Sequence, residues 1–355
     1  MKNLRVLFWA FLSVSILFTS CNDNNKPAPV PQGKYDNGVF INNEGVFGQG
    51  NGSVSFYDNE KDSVSNEIYK KENGGLPLGD VVQSMARAES KGLILIAVNA
   101  SNKVEVVRQA DFQYVETIEI SQPRYIAVDG DNAYVSSWMN KVYVIDLDNM
   151  QVKDSIETGT GPEGMLIAGG KLFIANSGGW AVDSTVTVVS LTDYTSKTTL
   201  DVKAYCPSMI EADKDGNIWV LAKGNVIYDA NWTPIGHNPS YLVELTPDGS
   251  SISRSVKLFD EKHPAKFDAN KDGTKLYYGG MWDAPGLYEF DVTSATAPAS
   301  PFISEPNYGF FVDPSNDVIY LLQEAYTSNG KMIRYDNKGN RIKEFTVGLY
   351  PSGGC

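Results

Sequence analysis

The placement of tryptophan constrains the chemistry of this chain more than any other residue type. Of the six tryptophans, Trp138, Trp180, Trp232 and Trp282 fall in polar, turn-rich segments. Only Trp219 sits inside a strong β-forming run, and Trp9 belongs to an apolar N-terminal stretch. Phe47 and Tyr326 occupy segments like those of the four loop tryptophans, while Arg124, Tyr125, Tyr205 and Tyr308 lie beside regularly spaced prolines. The same loops carry the amides Asn43, Asn99, Asn140, Asn176 and Asn238. Aromatic rings supply apolar area and amides supply direction, which suits a large, flat, amide-bearing or sugar-like ligand. A protein partner would use the same residue types. The competing structural reading is that each tryptophan caps the hydrophobic edge of its own sheet.

Other chemistries are poorly supplied. His237 and His263 are the only histidines, which excludes histidine-rich zinc or di-iron centres. His237, in a loop, is a candidate ligand for a metal such as cobalt, although a lone loop histidine is ordinarily polar surface. No nucleophile elbow, phosphate loop or dinucleotide fingerprint stands between a strand and a helix. Asp213-Lys-Asp-Gly-Asn and Asn270-Lys-Asp-Gly-Thr begin like calcium loops but lack the distal glutamate and flanking helices, so they read as tight turns. Carboxylates are abundant, and a ring-shaped fold can gather several of them at its axis, as calcium-dependent lactonases do. The expectation is a binding protein with no catalytic residues and no resident metal.

The elements that must position these loops are repeated. Pro77, Pro123, Pro162, Pro207, Pro264, Pro306 and Pro351 recur at intervals of about 39 to 57 residues. After each comes a short apolar run, a polar turn and an aliphatic–aromatic strand, then a variable loop and a second such strand. Gly38-Val-Phe-Ile-Asn, Leu172-Phe-Ile-Ala and Ile319-Tyr-Leu-Leu are examples of the first kind, and Val142-Tyr-Val-Ile-Asp and Met332-Ile-Arg-Tyr-Asp of the second. Seven copies of an all-strand repeat of this length predict an all-β, seven-bladed β-propeller over residues 35–355. The four tryptophan loops then emerge on one face, with the blade-to-blade connections that carry the prolines. The chain enters at Gly38 in what reads as a second strand, and Tyr350-Pro351-Ser-Gly-Gly reads as the start of an eighth repeat. The C-terminal segment is therefore expected to supply the inner strand of the first blade, which would otherwise leave an unpaired edge.

The N-terminus predicts export. Lys2 and Arg5 precede the apolar run Val6 to Phe18, which is too short to span a bilayer. It ends in Leu17-Phe-Thr-Ser-Cys21, which resembles a bacterial lipobox. Residues 1–20 then read as a lipoprotein signal peptide, Cys21 as the lipidated residue, and 21–34 as a flexible tether. Asn22-Asp-Asn-Asn resembles the export tags of surface lipoproteins in Bacteroides-like bacteria. The formal net charge is −13, and signal cleavage removes two further cations, so nucleic acid and anionic lipid headgroups are poor partners. The acyl chain would be the membrane attachment. Cys206 and Cys355 fall on well-separated blades and are expected not to form a disulfide.

The phrases Lys141-Val-Tyr-Val-Ile-Asp-Leu-Asp and Thr158-Gly-Thr-Gly-Pro-Glu-Gly resemble those of the YncE-type, or surface-layer, seven-bladed propellers over about residues 38–355. Together with the lipoprotein signal and the aromatic loop face, the whole chain is similar to the BtuG family. Those surface lipoproteins capture vitamin B12 and related corrinoids and sit over the outer-membrane transporter BtuB. The resemblance implies cobalamin or another corrinoid as transported ligand, BtuB as partner, no intrinsic cofactor, and an outer-membrane, surface-exposed location. A glycan-binding lipoprotein or a protein-interaction propeller would show the same loop aromatics.

Overall fold

The computed structural model describes residues 33–281 and 283–355. Residues 1–32, on which the expected signal peptide and the lipidated Cys21 fall, and Trp282 lie outside the described residues. The described chain is a seven-bladed β-propeller whose blades are antiparallel sheets, strand following strand from the central axis outward. The third blade is typical, with Pro123–Asp129 innermost, then Asn132–Ser137, Lys141–Asp146 and Gln151–Glu157. The second strands read as nearly continuous apolar runs because blades pack face to face and both faces of each middle strand are buried. Leu172 and Ile174 enter the core between blades 3 and 4, whereas Phe173 and Ala175, pointing the other way, enter the core between blades 4 and 5. Seven hydrophobic cores result, one at each seam between neighbouring blades.

The ring closes as the unpaired first blade required. Pro351–Gly354 lies inside Gly38–Asn43, with Ile41 opposite Gly354 and Asn42 opposite Gly353. The ladder extends one residue further: the Phe40 N–H donates to the Cys355 carbonyl at 2.8 Å, and the Cys355 N–H donates to the Phe40 carbonyl at 3.0 Å. Cys206 and Cys355 are both free.

Two blades depart from the repeat. Blade 6 has three strands, ending with Ala284–Asp291, and its outer position is reduced to a single bridge between Leu287 and Ile303. Pro298 and Pro301 fall in that stretch and cannot donate to a ladder. In blade 5 the loop after the second strand forms its own hairpin, Asn225–Tyr228 with Pro234–Asn238. Trp232 sits in its turn at a φ of 62°. The Asp-x-Asp-Gly segment of blade 5 is a turn: Asp213 accepts the backbone N–H groups of Asp215 and Asn217 and the indole N–H of Trp219. The only α-helix among the described residues is Ile68–Glu72, and none is long and apolar enough to cross a membrane.

Candidate binding face and channel mouth

A repeated backbone device builds the site. In five blades the residue before the inner strand adopts a positive φ: Val81 (57°), Gln122 (46°), Gly161 (56°), Cys206 (55°) and Tyr350 (51°). Its carbonyl accepts the N–H of the first residue after the second strand, at 2.8 Å from Asn99, 3.3 Å from Trp138, and 3.0 Å from each of Ser177, Lys223 and Glu44. The left-handed region costs a non-glycine residue about 1 kcal/mol or more, so its recurrence at one position is a constraint the surrounding structure enforces. Immediately afterwards the register slips. Gln83, Arg124 with Tyr125, Glu163 with Gly164, and Ser208 are passed over in pairing with the second strand. Such bulges re-aim side chains. Here Gln83, Arg124, Glu163 and Ser208 line the upper mouth of the central channel, together with Glu44, Lys223 and Tyr308, around a cavity of about 200 Å³.

Two aromatic ladders climb out of this mouth. On blades 3 and 4, the Arg124 guanidinium donates to the Glu163 carboxylate through Nε (3.1 Å) and Nη2 (3.0 Å), and through Nη1 to the Gln83 side-chain oxygen (2.5 Å). Its carbon lies 4.2 Å from the centre of the Trp138 ring, and the Trp138 indole N–H donates to the same Glu163 at 2.8 Å. Burial opposes the charge on Arg124, but Glu163 together with Tyr125 and Glu44 outweighs it and holds the guanidinium above its ordinary value. Trp180 stands edge-on to Trp138 at 5.2 Å and is 89% exposed. The platform is therefore fixed from below by a bidentate ion pair and open to solvent above.

On the opposite flank, the Tyr308 hydroxyl donates to Glu44 at 2.9 Å, and burial with the Glu44 charge pushes that hydroxyl well above the usual range. Tyr350 packs edge-on against Tyr308 at 5.8 Å, and Tyr326 packs edge-on against Tyr350 at 6.4 Å. Tyr326 and Phe47 are exposed to 67% and 79%. The blade 5 hairpin adds Trp232 and Tyr228, their rings 6.0 Å apart. Tyr205 is exposed nearby, where its carbonyl holds the hairpin's first turn through the Gly224 N–H.

The amides expected on this face have a different task. Asn43 and Asn176 end their second strands, are fully buried, and bond to hydroxyls of the adjacent third strand: Ser55 in one case, Thr185 and Thr187 in the other. Asn99 donates to the Pro123 carbonyl, and Asn140 accepts from the Gly161 N–H. Asn238 donates to Asn225 across the hairpin base. They tie loops and strands together because the end of a second strand is where backbone pairing stops and free carbonyls and N–H groups need partners. Of the remaining candidates, Tyr125 lines the mouth, while His237, in the hairpin base, meets His263 edge to edge with ring centroids 5.3 Å apart. Sequence reasoning missed Glu163, Gln83, Glu44 and Lys223. A signal existed for Glu163 and Ser208: they hold the same position as Arg124, the residue directly after the repeat's proline.

Below the mouth, Glu211 and Asp268 face the middle of the channel, beside Met209, Lys266 and Phe310. Asp268 accepts the Val312 and Ala269 N–H groups at 2.8 Å, yet burial pushes its carboxyl up to about 6. Burial, and then the nearby Asp268 charge, push Glu211 well above the carboxylate range. No group of three or more His, Cys, Asp or Glu side chains is placed to hold a metal ion among the described residues.

Among solved structures, the fold is similar to a provisionally named 6-phosphogluconolactonase from Bacteroides fragilis, at 14% identity and a TM-score of 0.63, covering 91% of this chain and 98% of that one. A provisionally named 6-phosphogluconolactonase from Bacteroides uniformis matches at 10% identity and a TM-score of 0.61, over 90% and 99% of the two chains. Apo AztD from Citrobacter koseri matches at 12% identity and a TM-score of 0.54, over 89% and 96%. At such identities the likeness is one of fold. A search of the curated proteins returned no match. The model of the domain of unknown function DUF5074 matches residues 37–353, the whole propeller from its first second strand to its closing strand, and the chain belongs to that family.

Proposed function

We propose that this propeller is a surface lipoprotein that captures a corrinoid on its upper face and passes it to the outer-membrane transporter BtuB, without chemistry on the ligand. The observation that carries the reading is the pre-organised aromatic face, above all Trp180 presented by Trp138 over the Arg124–Glu163 pair. A corrin is a broad, partly apolar plate with a rim of amides. The exposed rings match its face, and the polar mouth residues match its rim. Loops already held by hydrogen bonds lose little entropy on binding, which favours affinity. Isothermal titration with cyanocobalamin tests the reading: saturable one-to-one binding is expected, and absence of heat at high concentration overturns it. The anchor is tested separately. Cys21→Ala should abolish acyl labelling and release the protein from membranes, and unchanged labelling sinks the lipoprotein assignment.

A second reading has one observation in its favour. Glu211 and Asp268 are paired carboxyls with raised proton affinity at the channel axis, an arrangement suited to acid–base hydrolysis. Two fold neighbours carry a lactonase name. Proton release from 6-phosphogluconolactone, abolished by Glu211→Gln, would favour this reading over capture.

A further inference from the structure

His237, in the blade 5 hairpin, and His263, in the connection from blade 5 to blade 6, form a hydrogen-bonded pair whose partners select one tautomer for each neutral ring. His263 Nδ1 lies 2.9 Å from the Lys223 carbonyl oxygen, which can only accept, so Nδ1 carries the hydrogen. Neutral His263 then has a bare Nε2, and this atom lies 3.0 Å from His237 Nδ1. His237 must therefore donate from Nδ1, which leaves its own Nε2 unprotonated. That nitrogen makes no hydrogen bond within the described residues and is not among the buried polar atoms lacking a partner, so its lone pair faces solvent. The two rings lie edge to edge and within 17° of parallel, joined by this hydrogen bond, which fixes the direction in which the nitrogen points.

The relay starts at Lys223, a residue of the channel mouth, and ends on the hairpin that carries Trp232 and Tyr228. An imidazole whose second N–H is fixed by a hydrogen bond is the usual form of a metal-ligating histidine. A free aqua ion would need further protein donors, and no cluster of three His, Cys, Asp or Glu side chains is placed to hold one among the described residues. A metal already held in the plane of a macrocycle needs only one.

We infer that His237 Nε2 is an axial ligand to the metal of a bound planar macrocycle, with His263 as the positioning residue. The inference rests on the capture reading for the identity of the macrocycle, a cobalt corrinoid. In the step, labile water leaves the axial site of Co(III) and the Nε2 lone pair forms the Co–N bond. The oxidation state does not change and no proton moves, because Nε2 is already bare.

The experiment compares two probes on the full chain: aquocobalamin, whose axial water exchanges, and cyanocobalamin, whose axial positions are filled. The wild type should shift the visible spectrum of aquocobalamin to that of an imidazole complex and bind it about tenfold or more tightly than cyanocobalamin. His237→Ala should lose the spectral shift and the preference. His263→Phe should weaken ligation about tenfold while leaving His237 in place. Circular dichroism and melting curves establish that each variant folds. Cyanocobalamin binding with an unchanged aquocobalamin spectrum overturns the ligation and leaves capture standing. A shift that persists in His237→Ala also overturns it. Failure of both probes to bind overturns capture and ligation together.

Discussion

The mouth and the middle of the central channel are built from the same inner strands, yet they treat acidic side chains in opposite ways. At the mouth, Glu163 receives Arg124 and Trp138, and Glu44 receives Tyr308. Deeper, Glu211 has no hydrogen bond or ion pair among the described residues and faces Asp268. A bulge makes the difference for Glu163, whereas Glu44 lies just past the end of a second strand. A side chain turned out by a register slip reaches the neighbouring blade and its loops, where partners exist. A side chain in regular pairing points at the axis and meets only the other inner strands. A paired buried charge specifies geometry, whereas an unpaired one gives up its charge.

The largest way to test this contrast is to strip the mouth of its cation. Arg124→Ala leaves the Glu163 carboxylate buried with only the Trp138 indole N–H as a partner among the described residues, and should cost about 3–5 kcal/mol in urea unfolding. Adding Glu163→Gln should restore most of that loss. A cost below about 1 kcal/mol would mean that the pair is peripheral to the mouth. The ladders come next. Trp180→Ala should weaken ligand binding by about 1–4 kcal/mol, as loss of an exposed aromatic anchor does, without lowering the melting temperature. Trp138→Ala should affect both, because its indole also holds Glu163. Equal stability losses in the two variants would return them to the role of blade caps.

The smallest effect lies in the middle of the channel. Glu211 and Asp268 have raised folded-state proton affinities, so their contribution to stability is fully present below the ordinary carboxylate value. It is lost as pH rises through the folded value, about 6 for Asp268. Glu211→Gln should therefore stabilise the protein by about 1 kcal/mol at pH 8 and by nothing measurable at pH 4. A destabilising effect at pH 8 would show that the Glu211 carboxylate is paired in solution.

Much of the face was legible. The loop positions of Trp180, Trp232, Phe47 and Tyr326 were read from polar, turn-rich surroundings, and all are exposed. The amides were not legible in the same way, because Asn43 looks alike whether it faces a ligand or, as here, the hydroxyls of the next strand. Glu163 was visible only as a letter after a proline. Its importance comes from Arg124, 39 residues earlier, on a different blade.

By itself the sequence determined the ring: alternating apolar strands bounded by Gly, Asn, Asp and Pro turns are local signals, and their repetition sets blade number and closure. Tertiary structure alone decided which charges meet, which amides are consumed inside a blade, and that two histidines 26 residues apart share a hydrogen bond. Periodicity is carried along the chain, whereas partners are chosen across seams, where distance in space bears no fixed relation to distance in sequence.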